Sequence, residues 1–590
     1  MTFSSPKVSR SAAPDSMPSL KPNRWILVVS FILCAYMLFG RLGGWPLIAP
    51  DEGRNAEVAR EMSQSHSWLV PTYDGLAYLD KPAFYFKTIA LSFSLFGESE
   101  GVARLSSAFF GFSLAVVVFL FCRKMYDQRT ATLAMLIVAT TPLYIAFSRI
   151  VIFDMSLAFF VSSTIFACFL AEEECEEKQR MRWYLIGALS AGIATLIKGP
   201  VGFIVPTLVI TIFNGIEGRL GVMKRAFALR QWAVFFAIVL PWFAGLSLLR
   251  PDFPYYGIMR ESLARFTTTE FHRTAPFYYY APIIAGTFFA WSLLLPESIV
   301  AAWQTRKRWS RADRLLVVWA IVVVCFFSVS QSKLPGYILT TVVALGILTA
   351  RVFALALNND AGRAARILWH GTIPLLLLSV IAAILISIIA VNPDILKNRL
   401  TAKHELFDLF IPTLLPLALS FGSVALLSMC ALWTRNTRLI FAAFISFPLL
   451  LMTVNFDLLA LYAQTRSSRS LAEHIPATLP PATELVCLEC LPNGLPFYLK
   501  RLMTVITRDG NELTSNYVIF TLNSGKPWPE GVVPVAQWQH WLATRKHPVY
   551  LLAKKDHLTL LNEIALERGV EVVNLGSNYW AVLLLTPTGH

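Results

Sequence analysis

Residues 367–391 read Ile-Leu-Trp-His-Gly-Thr-Ile-Pro-Leu-Leu-Leu-Leu-Ser-Val-Ile-Ala-Ala-Ile-Leu-Ile-Ser-Ile-Ile-Ala-Val, without one Asp, Glu, Lys or Arg. About 20 apolar residues in helical form cross the hydrocarbon core of a bilayer. There every backbone N–H and C=O must be satisfied inside the segment, which a helix achieves. Working outward, apolar stretches recur near 25–42, 102–122, 130–147, 154–171, 183–197, 200–214, 231–249, 279–298, 314–331, 337–356, 408–433 and 439–460. Together they predict about thirteen spans. Lys198, Gly199 and Pro200 interrupt the 183–214 region, and its short runs require a locally thinned membrane.

Composition agrees with this reading. The 590 residues are 55% hydrophobic and 15% charged, whereas a soluble chain carries about 25% charged residues. Disorder throughout, a fibrous chain and a soluble multidomain enzyme are excluded. The formal net charge of +14 does not point to nucleic acid, because no basic domain or stacking platform accompanies it. Its source is topological. Lys and Arg gather in alternate loops, at 123–129, 178–182, 219–230, 306–314, 363–366 and 435–438, marking one face as cytoplasmic. Residues 1–23, rich in Ser, Pro and Lys, read as a disordered tail on that face. The run from Trp25 to Phe39 lacks a small-residue cleavage site and reads as a retained anchor. The acidic run Glu172–Glu177 reads as a solvated loop.

An odd number of spans puts the C-terminus on the opposite face. Three regions follow: the tail 1–23, a membrane domain 24–463 with a long polar first loop at 44–101, and a C-terminal domain 464–590. In the last, β-rich runs (Glu484–Leu488, Tyr517–Leu522, Val549–Ala553, Val570–Leu575, Trp580–Leu585) alternate with helical patterns such as Leu558–Arg568, predicting a small α/β domain. Cys487 and Cys490 there form a candidate disulfide. No internal repeat supports a transporter built from duplicated halves.

The chemistry concentrates in the first loop. Ala49-Pro50-Asp51-Glu52-Gly53-Arg54-Asn55-Ala56-Glu57-Val58-Ala59-Arg60-Glu61-Met62 predicts a short amphipathic helix on the membrane surface. On a purely structural reading, Asp51 caps that helix and Glu52 complements its dipole. Tyr78-Leu79-Asp80-Lys81-Pro82 follows, then the aromatic Phe84-Tyr85-Phe86-Lys87. Paired carboxylates near cations suit a reaction that needs a base and a phosphate clamp.

Pro-Asp-Glu-x-Arg followed about thirty residues later by Tyr-Leu-Asp-Lys-Pro resembles the GT-C membrane glycosyltransferases. Within them the chain looks most like the bacterial relatives of protein O-mannosyltransferases, especially the lipid A aminoarabinose transferases. The resemblance implies an all-α polytopic fold of GT-C type in the bacterial inner membrane, with a C-terminal periplasmic α/β domain and an active site facing the periplasm. It implies a polyprenyl-phosphate-linked sugar as donor, with undecaprenyl phosphate as carrier and lipid A as acceptor.

By the same resemblance, Asp51 is the essential acid, supported by Glu52. Arg54 reaches the donor phosphate, and Lys81, with Tyr78, binds it. A cation aimed at the leaving phosphate stabilises charge that grows in the transition state. Asp154 matches a second acidic position of the family, against the plainer reading of an ion pair with Arg149. Lys198 matches a lysine near the family's active cavity, against a snorkelling side chain. Tyr337 matches a tyrosine near the donor phosphate, and Lys333 is a candidate second cation. Arg260, Arg265, His272 and Arg273, among aromatics in the 250–277 loop, fit a lid over an anionic headgroup or an interfacial belt.

Two positions depart from the aminoarabinose transferase pattern: Asp80, where glutamate is usual, and Asn55, where an aromatic is common. The alternative they open is hexose transfer to protein or glycan; a further alternative, of a different class, is a lipid or sugar transporter or flippase. The nine histidines form no HExxH motif, and neither a Walker loop nor a dinucleotide fingerprint is present. A divalent metal stays open.

Overall fold

The computed structural model describes residues 24–585 apart from 269–272, 360–361, 398–403, 478, 481 and 577. The tail 1–23 and His272 therefore lie outside the described residues.

Each of the thirteen apolar stretches is helical. By length and composition, seven helices among the described residues can cross a membrane, ten if each bent pair counts as one. The bent pairs are Gln128–Ala139 with Pro142–Ser148 at 68°, Tyr280–Thr287 with Trp291–Arg308 at 114°, and Thr437–Met452 with Phe456–Thr465 at 46°. The uninterrupted full-length spans are thus fewer than the sequence count. Three stretches are the helices Arg24–Phe39, Glu177–Lys198 and Val201–Ile216, the last two parted by Gly199 at φ +69°. The helix Arg363–Val391 packs on His404–Thr434. It exposes Leu377, Ile381, Ile384 and Leu385, as a helix apolar all round does when lipid is its solvent.

The acidic run is a loop at 174–176 with Glu176 and Glu177 exposed, as expected, but its first two residues end the helix Asp154–Glu173 and anchor basic loops. Glu172 pairs with Arg219 at 3.6 Å, Glu173 pairs with Arg311, and Glu217 takes Arg314 at 2.6 Å. Two of these carboxylates belong to helix ends, where the basic loops converge.

On the opposite face the first loop forms the helix Asp51–Ser65, a hairpin of β1 (Thr72–Tyr73) and β2 (Leu76–Ala77), and an apolar helix Phe84–Phe96. The Asp51–Ser65 helix does not lie on a surface: from Glu52 to Met62 every residue but Arg54 is buried. It packs on the helix Phe84–Phe96 and on β1, and the C-terminal domain closes over it through Leu495–Leu499; that domain holds a six-stranded sheet in the order β5-β4-β3-β6-β8-β7. Strands β3 (Glu484–Leu488), β4 (Thr504–Thr507), β5 (Val532–Pro534) and β6 (Val549–Lys554) pair in parallel, while β8 (Tyr579–Leu584) pairs antiparallel to β6 and β7 (Val573–Gly576). Strand alternation divides the side chains. Leu485, Cys487, Val505 and Leu552 join the first-loop core with Ala56, Ala59 and Phe86, whereas Val486, Leu488 and Leu551 pack under the helix Leu558–Arg568.

Two expectations fail in this domain. Tyr517–Leu522 is helical, not a strand, because Ser515 caps Val518 N–H and the Asp80 carboxylate accepts from the Asn516 and Tyr517 amides at 2.9 and 2.8 Å. Cys487 and Cys490 are free thiols. They are buried side by side, a contact that with burial pushes the Cys487 thiol well above its usual range; Cys487 also meets Met503 Sδ and Cys490 the Leu552 carbonyl, each at 3.7 Å.

Docking of the domain relies on a glycine contact. A Cβ on Gly53 would sit 2.5 Å from the Gly494 Cα and 2.9 Å from the Asn493 carbonyl. Gly53→Ala is expected to push the β3–β4 connection off the helix at a cost of about 1–3 kcal/mol. A lower unfolding temperature in detergent and faster proteolysis of the C-terminal domain check this.

Candidate active site

Glu52 and Arg104 meet with no solvent between them. Arg104 Nε and Nη2 each donate to the carboxylate at 2.8 Å, and the remaining guanidinium hydrogens go to the Leu42, Trp45 and Pro46 carbonyls at 2.8–2.9 Å. Glu52 also accepts from the Ile48 and Val151 amides at 2.9 Å. Both oxygens are fully used, so Glu52 has no lone pair left for an acceptor or a metal. These contacts tie the first loop to the membrane helix that carries Arg104. Asn55 Nδ2 donates to the Val151 carbonyl at 2.8 Å, so Glu52 and Asn55 hold both polar groups of Val151.

Val151 leads into Phe153 and Asp154, and from there the site proper begins. A cavity of about 820 Å³ is lined at its polar end by Asp80, Lys81, Asp154, Lys198, Glu261 and Arg265, with Tyr337 beside them. Lys198 Nζ meets Asp154 Oδ1 at 2.5 Å and lies 4.6 Å from the Tyr337 ring and 5.0 Å from the Phe153 ring. Gly336 gives the room, since a Cβ there would come within 3.3 Å of Asp154 Cγ. Lys81 donates to the Asp80 carbonyl at 2.7 Å, pairs with Glu261, and faces Phe153 at 5.7 Å. Burial pulls the Lys81 ammonium down to about 8, with Glu261 opposing and Arg265 assisting the fall. Arg265 Nη2 reaches Glu261 at 3.1 Å. Asp80 is spent structurally, accepting from Tyr256 Oη at 2.7 Å besides the two amides above.

The other residues singled out from sequence lie elsewhere. Asp51 is exposed at the first turn of its helix, makes no cap, and pairs with Arg54 at 2.5 Å. Arg54 also donates to the Thr514 carbonyl at 3.2 Å and stands 5.5 Å from the Tyr78 ring. Burial opposes the Arg54 charge, but Tyr78, Asp51 and Asp80 hold it above its usual range. Arg149 does not pair with Asp154. It turns the other way, donating to the Met37 and Gly40 carbonyls at 2.9 and 2.5 Å. Lys333 donates to the Ser330 carbonyl at 2.6 Å, behind the cavity wall that Ser330 and Ser332 form. Arg260 is exposed over Phe520 at 5.7 Å. Among the described residues no group of three or more His, Cys, Asp and Glu could hold a metal ion.

Two central residues escaped the sequence reading. Arg104 sits five residues into an apolar helix, where a charge needs a dedicated partner. Glu261 is the acid between Arg260 and Arg265, in a loop read for its cations alone.

A family model described as dolichyl-phosphate-mannose-protein mannosyltransferase matches residues 80–244, which include Lys81, Asp154 and Lys198. The undecaprenyl phosphate-alpha-4-amino-4-deoxy-L-arabinose arabinosyl transferase of Aeromonas salmonicida is 30% identical over 372 residues, covering 62% of this chain and 67% of the relative. The chain belongs to this family of aminoarabinose transferases. Its namesake in Aeromonas hydrophila is 31% identical over 61% of this chain and 66% of its own length. The crystal structure of ArnT from Cupriavidus metallidurans bound to undecaprenyl phosphate superposes with a TM-score of 0.80, at 24% identity, over 96% of this chain and 99% of that one. The aminoarabinose transferase architecture therefore extends beyond the aligned sequence to the whole chain, C-terminal sheet included, and the protein is a multi-pass membrane glycosyltransferase of GT-C fold.

Two stability predictions follow from this geometry. Arg104→Leu strands the Glu52 carboxylate and is expected to cost about 3–5 kcal/mol, read as a fall in unfolding temperature that Lys81→Ala does not show. Glu61, buried beside Glu57, is pushed up to about 7 from 4.5. A raised carboxyl pKa gives no penalty at low pH; the cost develops as pH rises from 4.5 and is complete above about 7. Glu61→Gln should therefore raise the unfolding temperature at pH 8 relative to wild type by more than at pH 5.

Proposed function

We propose that the protein transfers 4-amino-4-deoxy-L-arabinose from undecaprenyl phosphate to lipid A at the periplasmic face of the bacterial inner membrane. One observation carries this reading: a single cavity has a cationic end and an apolar mouth. Lys81, Lys198 and Arg265 gather at one end, while Ile204, Leu240, Ile258, Met259 and Leu263 line the cavity and are themselves exposed. A phosphate at the cationic end with an isoprenoid tail leaving through the apolar side fits that polarity. The names of the relatives supply the sugar and carrier.

In this reading the first loop 44–101 and the domain 464–590 are periplasmic, and the tail 1–23 is cytoplasmic. The bond from the sugar C1 to the phosphate oxygen breaks, and a new bond forms from C1 to the acceptor hydroxyl oxygen. The acceptor proton passes to Asp51, whose carboxylate Arg54 holds in place at 2.5 Å. The leaving group is undecaprenyl phosphate, whose growing charge is met by Lys81 and Arg265, with Lys198 and Tyr337 beyond. Asp154 holds Lys198 in place, and Lys333 adds positive potential from behind the wall.

Lys81→Ala and Asp51→Asn are each expected to lower kcat/KM by about 10²–10³ with membrane levels unchanged. Mass spectrometry of lipid A from cells carrying each variant checks this, and full modification in both removes the assignment. Donor affinity should fall as pH rises through about 8, where Lys81 loses its proton; Lys81→Arg should abolish that fall.

A further inference from the structure

Three acids stand among the three cations at the cavity's polar end: Lys81, Lys198 and Arg265 are matched there by Asp80, Asp154 and Glu261. The three acids are held differently. Asp80 is fixed by Tyr256 and two backbone amides, and Asp154 starts a long helix whose first turn is tied to Lys198. Glu261 instead stands on a nine-residue π-helical turn, Tyr256–Ala264. This is a rare backbone form that gathers at functional sites.

The Glu261 carboxylate is nearly closed off from solvent, its side chain 9% exposed, and it bridges Lys81 and Arg265. Two oxygens between two cations is the arrangement a phosphate's non-bridging oxygens would take. The geometry points to Glu261 as a built-in phosphate surrogate that occupies the donor-phosphate subsite when it is empty and must leave Lys81 and Arg265 for the donor phosphate to take its place. This rests on the reading of the cavity as a polyprenyl-phosphate site.

The arrangement has a kinetic consequence. The transfer product is undecaprenyl phosphate, which keeps the same phosphate contacts as the donor. A carboxylate tethered beside those cations competes with the product for them and speeds its release. Glu261 is thus a positioning residue for Lys81 and Arg265 that touches no reacting atom, and its removal should strengthen ground-state binding and slow turnover.

The test uses the full chain in detergent, with undecaprenyl phosphate as the probe. Glu261→Gln is expected to bind it about tenfold more tightly than wild type, and to show KM and kcat falling together. Glu261→Ser removes the carboxylate differently and is held to the same expectation, so poor folding of one variant does not shelter the idea. Glu261→Asp, which keeps the charge, should stay close to wild type. Equal or weaker binding by both neutral variants overturns the surrogate role and marks Glu261 as a scaffold for the two cations. Failure of wild type itself to bind undecaprenyl phosphate overturns the donor reading as well, so the two failures are distinguishable.

Discussion

Taking a carboxylate and a guanidinium out of water costs several kcal/mol per ion, and Glu52 and Arg104 offset that cost only because every donor and acceptor between them is used. Arg104 belongs to a membrane helix, Glu52 to the first loop, and the carbonyls that complete the arginine to the segment joining the first helix to that loop. One ion pair therefore fixes three pieces of chain. Through the Val151 amide it fixes a fourth, the turn carrying Phe153 and Asp154. Lys81 and Lys198 both lie over Phe153, so the spacing of the cavity's cations depends on the Glu52 carboxylate.

The C-terminal domain completes what the membrane helices begin. Its Asn516 and Tyr517 amides hold Asp80, its Thr514 carbonyl holds Arg54, and its Gly494 seats on Gly53. Each contact falls within the two first-loop motifs. The domain is a clamp on Asp51-Glu52-Gly53-Arg54 and Tyr78-Leu79-Asp80-Lys81, and this explains how a polar helix comes to be buried where its sequence pattern points to a membrane surface.

How much of this was legible in the sequence depended on the range of the interaction. Apolar length is a local property, and each stretch it marked, from 25–42 to 439–460, is helical. Bends are less local. The 114° break between Tyr280–Thr287 and Trp291–Arg308 leaves no mark in hydropathy, so 279–298 reads as one continuous span where the structure has a bent pair. Tyr517–Leu522 has the β-branched and aromatic residues of a strand, but Asp80, more than 400 residues away, caps it as a helix. The first-loop residues were found as a group because charge is scarce in this chain. Sorting them required the partners: Glu52 and Arg149 are consumed by buried contacts, while Lys81, Asp154 and Lys198 converge on the cavity. Arg104 and Glu261 were missed because each was read within its own segment, one as part of an apolar run and the other as background to neighbouring arginines.

The pairing of charges at the cavity follows from the same physics that makes the site useful. A cluster of three cations in a low-dielectric pocket would repel strongly if left bare; burial chiefly lowers the affinity of Lys81 for its proton, and Arg265 adds to the fall. Carboxylates at Asp154 and Glu261 relieve that repulsion and let the site fold without ligand. In the proposed donor site they also reduce the attraction for phosphate, so that binding would be an exchange of one anion for another instead of a simple gain of charge. An exchange site binds its ligand less tightly but releases it more readily. For a transferase whose donor and product share the same phosphate and the same lipid tail, ready release is what allows the next donor to bind.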